Sequence, residues 1–433
     1  MKPPSSTPGE RPVRTNGPTM PPDLDRLYVG IDVAQESFVA AVVDARGNVV
    51  RVSKSYANTP EGMEKLREDV EPLGTCLGVP LAYAMEASGC YHIDLLYFLL
   101  EKKAQAWAFN PLLLEGEKRA QIRKTKTDAI DALRIAQFAR KEGRAHPFAT
   151  WNPEDRRLRE RCRVRYRLVD KTTPCKQQLH RNLDLLVPGL SSLFDDLGSP
   201  SVIAAIKTIF QLTRFPQIPR EELEEAMRPY YSRRELLATK VAEICRRLEI
   251  CHAPEGLVEP LIDETKFLVH QLERLQEQVR QEEEKIAKEM ERRESLLFTI
   301  PGLGPITAAV VESEMGDAHR FPDAEAVTAF AGLDPRVRQS GKFRGTETPI
   351  SKRGSPLLRE ALYLAAFTAV QRNPVAKAIY ERLTGRGKAK RSALVAVSRH
   401  ILIWAWAVKR DGVPYRMAPG GPGRTLGRSP TPS

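Results

Sequence analysis

The chain has 433 residues, 42% hydrophobic and 28% charged, a balance that leaves room for two or three globular domains and excludes a largely disordered or collagenous protein. Lys and Arg number 67 against 55 acids, and a net charge of +12 suits a polyanionic partner. No apolar run reaches membrane-spanning length, and the six cysteines show no CxxC pair or zinc spacing, which excludes a membrane-spanning helix, a disulfide scaffold and a zinc ribbon.

Residues 1–25 are rich in Pro, Ser and Gly and lack the apolar core of a signal peptide, so they are expected to be a disordered tail of a cytoplasmic protein. Residues 26–150 read as an α/β domain. Tyr28-Val-Gly-Ile, Phe38 to Val43 and Val49 to Val52 are strand runs, and Asp44 to Asn48 supplies a turn, which predicts a three-strand meander. Pro60 opens a helix, Pro80 to Met85 is a buried strand ending at Glu86, Tyr91 to Lys102 is a helix, and Gln105 to Asn110 is a strand. Thr127 then caps a helix that begins with Asp128 and Asp131 on one face.

Asp32 lies inside the most apolar strand, where a carboxylate is costly without a partner. Alone it reads as a turn cap, and Asp128 and Asp131 alone read as acids welcomed by a helix dipole. In a ribonuclease-H-type layout, however, this element order brings Asp32, Glu86, Asp128 and Asp131 to one edge of the sheet. Four such carboxylates repel unless cations sit among them, and an all-oxygen set suits Mg²⁺, with Mn²⁺ the other choice, for phosphoryl transfer.

Residues 151–298 are expected to be helical. Arg156, Arg157, Arg159, Arg161, Arg163, Arg165 and Arg167 crowd one helix with only Glu160 to compensate within the run, favouring contact with a nucleic-acid backbone over a solvated face. Pro174 predicts a kink or break there. Residues 187–200 read as loop and 201–251 as short helices. Leu268, Leu272, Leu275, Val279 and Ile286 follow coiled-coil spacing, with a polar break at Glu282.

Residues 299–415 form the last domain. Gly302 and Gly304, ahead of a helix, suggest a helix–hairpin–helix turn whose N–H groups grip phosphate; an ordinary helix–helix turn is the other reading. Ser340 stands beside Gly341 among Arg336, Arg338, Lys342 and Arg344, with Lys352 and Arg353 further on. This is either a hydroxyl that attacks a phosphodiester amid guanidinium groups or a basic loop with an ordinary serine, and the residues alone favour the second. Ser351 and Ser355 are rivals, although Ser355-Pro356 reads better as a helix start. Residues 416–433 are a second Pro-rich tail.

Tyr28-Val-Gly-Ile-Asp32-Val-Ala, Met85-Glu86-Ala-Ser-Gly, Lys126-Thr-Asp128-Ala-Ile-Asp131, Ile300-Pro-Gly-Leu-Gly-Pro and Gly332-Leu-Asp-Pro…Gln339-Ser340-Gly…Ile350-Ser-Lys-Arg-Gly resemble, in order, the DEDD transposases of the insertion-sequence-110 type and the related pilin-gene invertases. The resemblance covers about Leu27 to Lys409. It implies a RuvC-like N-terminal domain, a coiled coil and a C-terminal transposase domain. It also implies Mg²⁺ held by Asp32, Glu86, Asp128 and Asp131, and Ser340 as the nucleophile, reversing the preference drawn from residues alone. Implied partners are donor and target DNA, a structured non-coding guide RNA, and further copies of the chain, as a homodimer assembling into a tetrameric synapse. A metal-dependent nuclease, an invertase without an RNA guide and a non-catalytic RNA scaffold are the competing readings.

Overall fold

The computed structural model describes residues 26–87, 89–109, 111, 127–142, 152–211, 215–251, 255–335, 339–340, 343–344 and 349–416. They fall into two compact units divided at Pro153/Glu154, with His319–Pro322 belonging to the first. The two terminal tails, apart from Arg416, lie outside the described residues. Among the described residues no helix is long and apolar enough to cross a membrane.

In the first unit, strands β1 (Leu27–Val33), β2 (Ser37–Val43), β3 (Val49–Ala57), β4 (Leu81–Glu86) and β5 (Gln105–Phe109) form one sheet in the order β3-β2-β1-β4-β5. The first three are an antiparallel meander, as expected. The Asp44 carboxylate closes its second turn by accepting from Arg46 N at 2.9 Å and Asn48 N at 2.8 Å. β4 and β5 run parallel to β1, so each needs a crossover. Helix α1 (Pro60–Leu77) supplies the first, starting at the Thr59 cap and ending on left-handed Gly78. Helix α2 (His92–Glu101) supplies the second.

Period-two alternation divides the sheet into faces. Leu27, Val29 and Ile31 pack with Met63, Leu66, Val70, Leu95 and Leu99 from α1 and α2. Each such buried side chain contributes roughly 1.5–3 kcal/mol. A one-residue slip of β1 would replace them with Tyr28, Gly30 and Asp32, so the register is strongly set. The opposite face, with Tyr28, Ala82, Ala84 and Trp107, is covered by α3 (Asp128–Glu142) through Ile135, Ala136, Phe138 and Ala139.

The second unit is mostly helical. Helix α4 (Pro153–Leu186) runs unbroken for 34 residues through Pro174, so the expected break is absent. Helices α5 (Pro200–Ile209), α6 (Arg220–Met227) and α7 (Arg234–Glu249) follow, then the 38-residue α8 (Glu255–Arg292). Arg157 meets Glu289, Arg165 meets Glu283 and Asn182 meets Glu264, so α4 and α8 pair antiparallel within the chain. At one end of this pair Leu179, Leu183, Leu261, Leu268 and Leu272 enclose a core with Ile206, Leu223, Val241 and Ile244 from α5, α6 and α7.

Helices α9 (Pro305–Met315), α10 (Ala324–Ala331), α11 (Pro356–Arg372), α12 (Pro374–Gly385) and α13 (Lys390–Asp411) complete the unit. Between α10 and α11 stand the short strands β6 (Gln339–Ser340) and β7 (Phe343–Arg344). Buried Trp406 donates from Nε1 to Ala318 O at 3.0 Å, fixing α13 to the short turn that follows α9.

Candidate active site

The strand registers place the first two acids. Ile31 is level with Met85 in the parallel β1/β4 pair, so Asp32 and Glu86 follow at adjacent positions at the carboxyl ends of neighbouring strands. By alternation both belong to the α3 face, in phase with Tyr28 and Gly30 on β1 and with Ala82 and Ala84 on β4.

Helix α3 brings the other two acids toward the same end. Its later turns lie over the β2–β3 turn, where Gln137 Nε2 donates to Gly47 O at 2.7 Å. Its first turn therefore points toward the carboxyl end of β1. The helix lies close because Gly30 has no side chain: a Cβ there would be 2.7 Å from Ala136 Cα and closer still to Ala136 N and Ala132 O. Asp128 and Asp131 continue the sheet-facing stripe of Ala132, Ile135 and Ala139. Thr127 caps the start, its Oγ1 accepting from Ile130 N at 3.4 Å.

The acids thus share a face and an end, yet they do not form a finished cage. Among the described residues no three His, Cys, Asp or Glu side chains stand together as ligands for one ion. The Asp131 side chain, 13% exposed, accepts from Arg134 Nη1 at 3.0 Å. Asp128 is exposed, and Asp32 and Glu86 are half-buried. The all-oxygen donor set fits a hard divalent cation chemically, whereas its present spacing does not enclose one.

Ser340 belongs to the second unit. It pairs with Phe343 across the β6/β7 ladder. Arg336, Arg338 and Lys342 lie outside the described residues, and of Arg344 only the backbone is described. The neck of this loop is closely tied. Pro335 bridges Ile350, Ser351 N donates to Asp334 O at 2.8 Å, and Lys352 N donates to Gly332 O at 3.1 Å. Gly332 has φ 68°, and Lys352 shares the left-handed region at φ 56°. Arg359 Nη1 donates to Ala331 O at 3.2 Å and Gly354 O at 2.6 Å, holding both sides of the neck. Lys352 and Arg353 are exposed beside it.

The rival serines have other work. Ser351 is 5% exposed and its Oγ donates to Asp334 Oδ1. Ser355 Oγ accepts from Leu358 N at 3.3 Å, the expected cap of α11. The sequence marked Asp334 and Arg359 only as members of the family-like motifs Gly332-Leu-Asp-Pro and Leu358-Arg359; their part in tying the neck is seen in the structure.

Two groups expected to contact phosphate have partners within the chain. The acids missing near the arginines of α4 arrive from distant helices. Arg157 pairs with Glu289 at 3.4 Å, Arg161 with Glu282 at 3.1 Å, and Arg165 with Glu283 at 2.7 Å. Arg159 and Arg163 converge on buried Glu314 at 3.2 and 3.0 Å. Arg156 takes Glu160 at 3.3 Å. Arg167 is exposed. Burial would raise the Glu314 carboxyl, but Arg159 and Arg163 outweigh it and hold the group below the usual range. In the Gly302–Gly304 turn two N–H groups are used within the chain: Leu303 N donates to Ile300 O at 3.1 Å and Gly304 N to Thr307 Oγ1 at 2.9 Å. Gly302 instead allows contact with α11, since a Cβ there would meet Ala369 Cβ at 2.6 Å.

Comparison with known proteins identifies the family. Residues 29–188 match a DEDD transposase domain of the IS110 type, and residues 294–381 match the transposase IS116/IS110/IS902 family. The chain belongs to the IS110/IS116 family of transposases. This transposase is 26% identical to the insertion element IS116 uncharacterized 44.8 kDa protein of Streptomyces clavuligerus, over 91% of this chain and 97% of that protein. It is 22% identical to the pilin gene-inverting protein of Moraxella bovis, over 90% and 98% of the two chains. It is 26% identical to the transposase for insertion sequence element IS1328 of Yersinia enterocolitica, over 79% and 84%. The first family domain spans the sheet, α3 and its acids; the second contains the Ser340 loop and the helices around it.

Proposed function

We propose that this transposase breaks and rejoins DNA at the ends of an insertion sequence through the hydroxyl of Ser340, assisted by Asp32, Glu86, Asp128 and Asp131. The observation that carries the reading is the convergence of these four acids on one face and one end of the sheet. The four carboxylates would hold Mg²⁺, which when bound supplies charge stabilisation at the phosphate.

In the proposed step Ser340 Oγ forms a bond to a DNA phosphorus and the bond from that phosphorus to the departing DNA oxygen breaks. The departing hydroxyl carries away the proton that serine loses. The reverse reaction with a different DNA end rejoins the strands. The tied neck supports this role for Ser340, and the structural bonds of Ser351 and Ser355 weigh against them. The α4/α8 pair is read as an intrachain coiled coil. A structured non-coding RNA that pairs with donor and target DNA, and a dimer meeting in a tetrameric synapse, complete the proposal on the strength of the family resemblance. The similarity to a pilin gene-inverting protein supports a second reading, inversion of a DNA segment without an RNA guide.

The test is capture of covalent protein–DNA adducts. Ser340→Ala should abolish them while DNA binding persists, and Asp32→Asn should abolish strand cleavage. Adducts that persist in Ser340→Ala would move the nucleophile elsewhere. Cleavage without any adduct in the unaltered protein would favour a water-dependent nuclease.

A further inference from the structure

The turn joining α12 to α13 carries a cationic surface unlike that of α4. From Arg382 to Arg410 the sequence contains no acid. Arg382, Arg386, Lys388, Lys390, Arg391 and Arg399 are all exposed. The nearest preceding acid, Glu381, faces Lys377 at 3.9 Å. The turn is nonetheless ordered by its backbone: Gly387, at φ 83°, donates from N to Thr384 O at 2.9 Å, and Lys388 N donates to Leu383 O at 3.1 Å.

The fold gains nothing from these charges. Lys390 and Arg391 occupy the first turn of the 22-residue α13, where the helix dipole disfavours cations. Ala389 precedes them without a side-chain cap. Half-buried His400 registers the local field. It is held below its ordinary range by burial and by the charges of Arg399 and Arg382. A concentration of like charge, without an ion pair among the described residues and opposed by its own helix, is best matched by a dense external row of anions. Duplex DNA provides one charge per ~1.7 Å of axis.

We propose that the α12–α13 turn grips the phosphate backbone of duplex DNA, independently of sequence, through Arg386, Lys388, Lys390 and Arg391, with Arg382 and Arg399 alongside. This rests on the reading of the chain as a DNA-acting transposase and identifies a surface that holds the substrate.

The test uses full-length protein with Arg386, Lys388, Lys390 and Arg391 changed together to Gln, titrated with a labelled duplex over a range of salt. Each lost phosphate contact lowers the slope of log affinity against log salt by ~0.9, so a decrease of about 2–4 is expected, with at least about tenfold weaker binding near ~0.15 M salt. An unchanged slope overturns the proposal. A slope that decreases for single-stranded RNA but not for duplex DNA also overturns it, in favour of an RNA surface. If the fourfold variant misfolds, separate Arg386→Glu and Lys388→Glu variants at exposed positions give the same reading. Asp32→Asn separates this inference from the catalytic one: it should lose cleavage but retain the full salt slope. An unaltered protein that never cleaves DNA yet shows the turn-dependent slope would refute the catalytic reading alone.

Discussion

Gly30→Ala tests whether the sheet–helix contact positions the acids. The new methyl carbon would stand 2.7 Å from Ala136 Cα and nearer to Ala136 N and Ala132 O. Comfortable carbon–carbon separation is about 3.5 Å or more, so α3 must retreat by at least about 0.8 Å. Both obstacles are backbone, so no side-chain rotation relieves them. Overpacking of this kind costs roughly 1–3 kcal/mol. A displacement near 1 Å at a reacting centre costs on the order of 10²-fold in rate. Because Asp128 and Asp131 ride on the displaced helix, DNA cleavage should fall by about that factor even at temperatures where the variant is fully folded. Gly62→Ala is the control. It creates a similar collision with Ala57 at the start of α1, whose packing face is opposite that of the acids. It should lower the melting temperature without the extra loss of cleavage. Equal loss in both variants, or none in Gly30→Ala, would refute the claim that this close approach places the acids.

Glu314→Gln should destabilise the helical unit by about 1–3 kcal/mol in urea at neutral pH, since two partly exposed arginines lose a buried partner. Because the folded carboxyl is held low, its contribution is complete above the unfolded value and is lost as pH falls through the folded one. Stability measured from pH 7 to pH 3 should therefore fall less steeply in Glu314→Gln than in the unaltered protein. Burial pushes the Cys162 thiol up to about 12, so a thiol reagent near neutral pH should label exposed Cys76 and Cys90 first and leave Cys162 until unfolding. Ser351→Ala removes the bond to Asp334, and a loss of about 1 kcal/mol should accelerate hydrogen exchange of the Lys352 amide about fivefold.

The first unit was legible because its signals are local. Tyr28 to Val43 alternates about a short turn, and parity alone puts Asp32 in phase with Gly30. Glu86 was placed by the strand that ends on it. The tight Gly30–Ala136 approach was hidden, since nothing in a single sequence shows which helix will lie against which glycine. Pro174 misled because its missing N–H removes one helix bond, a cost that the packing of Cys175, Leu179 and Leu183 outweighs in α4. Residues 201–251 were readable as short helices, but their core draws on α4 and α8 residues far away in sequence.

The arginines show most clearly where a charge count stops being informative. Arg157, Arg161 and Arg165 recur every four residues, and along antiparallel α8 their partners Glu289, Glu282 and Glu283 occupy the facing seam. The polar break at Glu282 in the apolar repeat is therefore the other half of an ion pair with Arg161, and neither half explains itself in isolation. Density of cations along one helix says only that anions are needed. Whether they come from the same chain depends on topology, through contacts more than a hundred residues apart in sequence. The α12–α13 turn has the opposite signature: fewer cations, no acid among residues 382–410 and a helix dipole opposed to them. A binding surface is better sought where the fold leaves charge unanswered than where the sequence concentrates it, and on that criterion the turn outranks the longer arginine run.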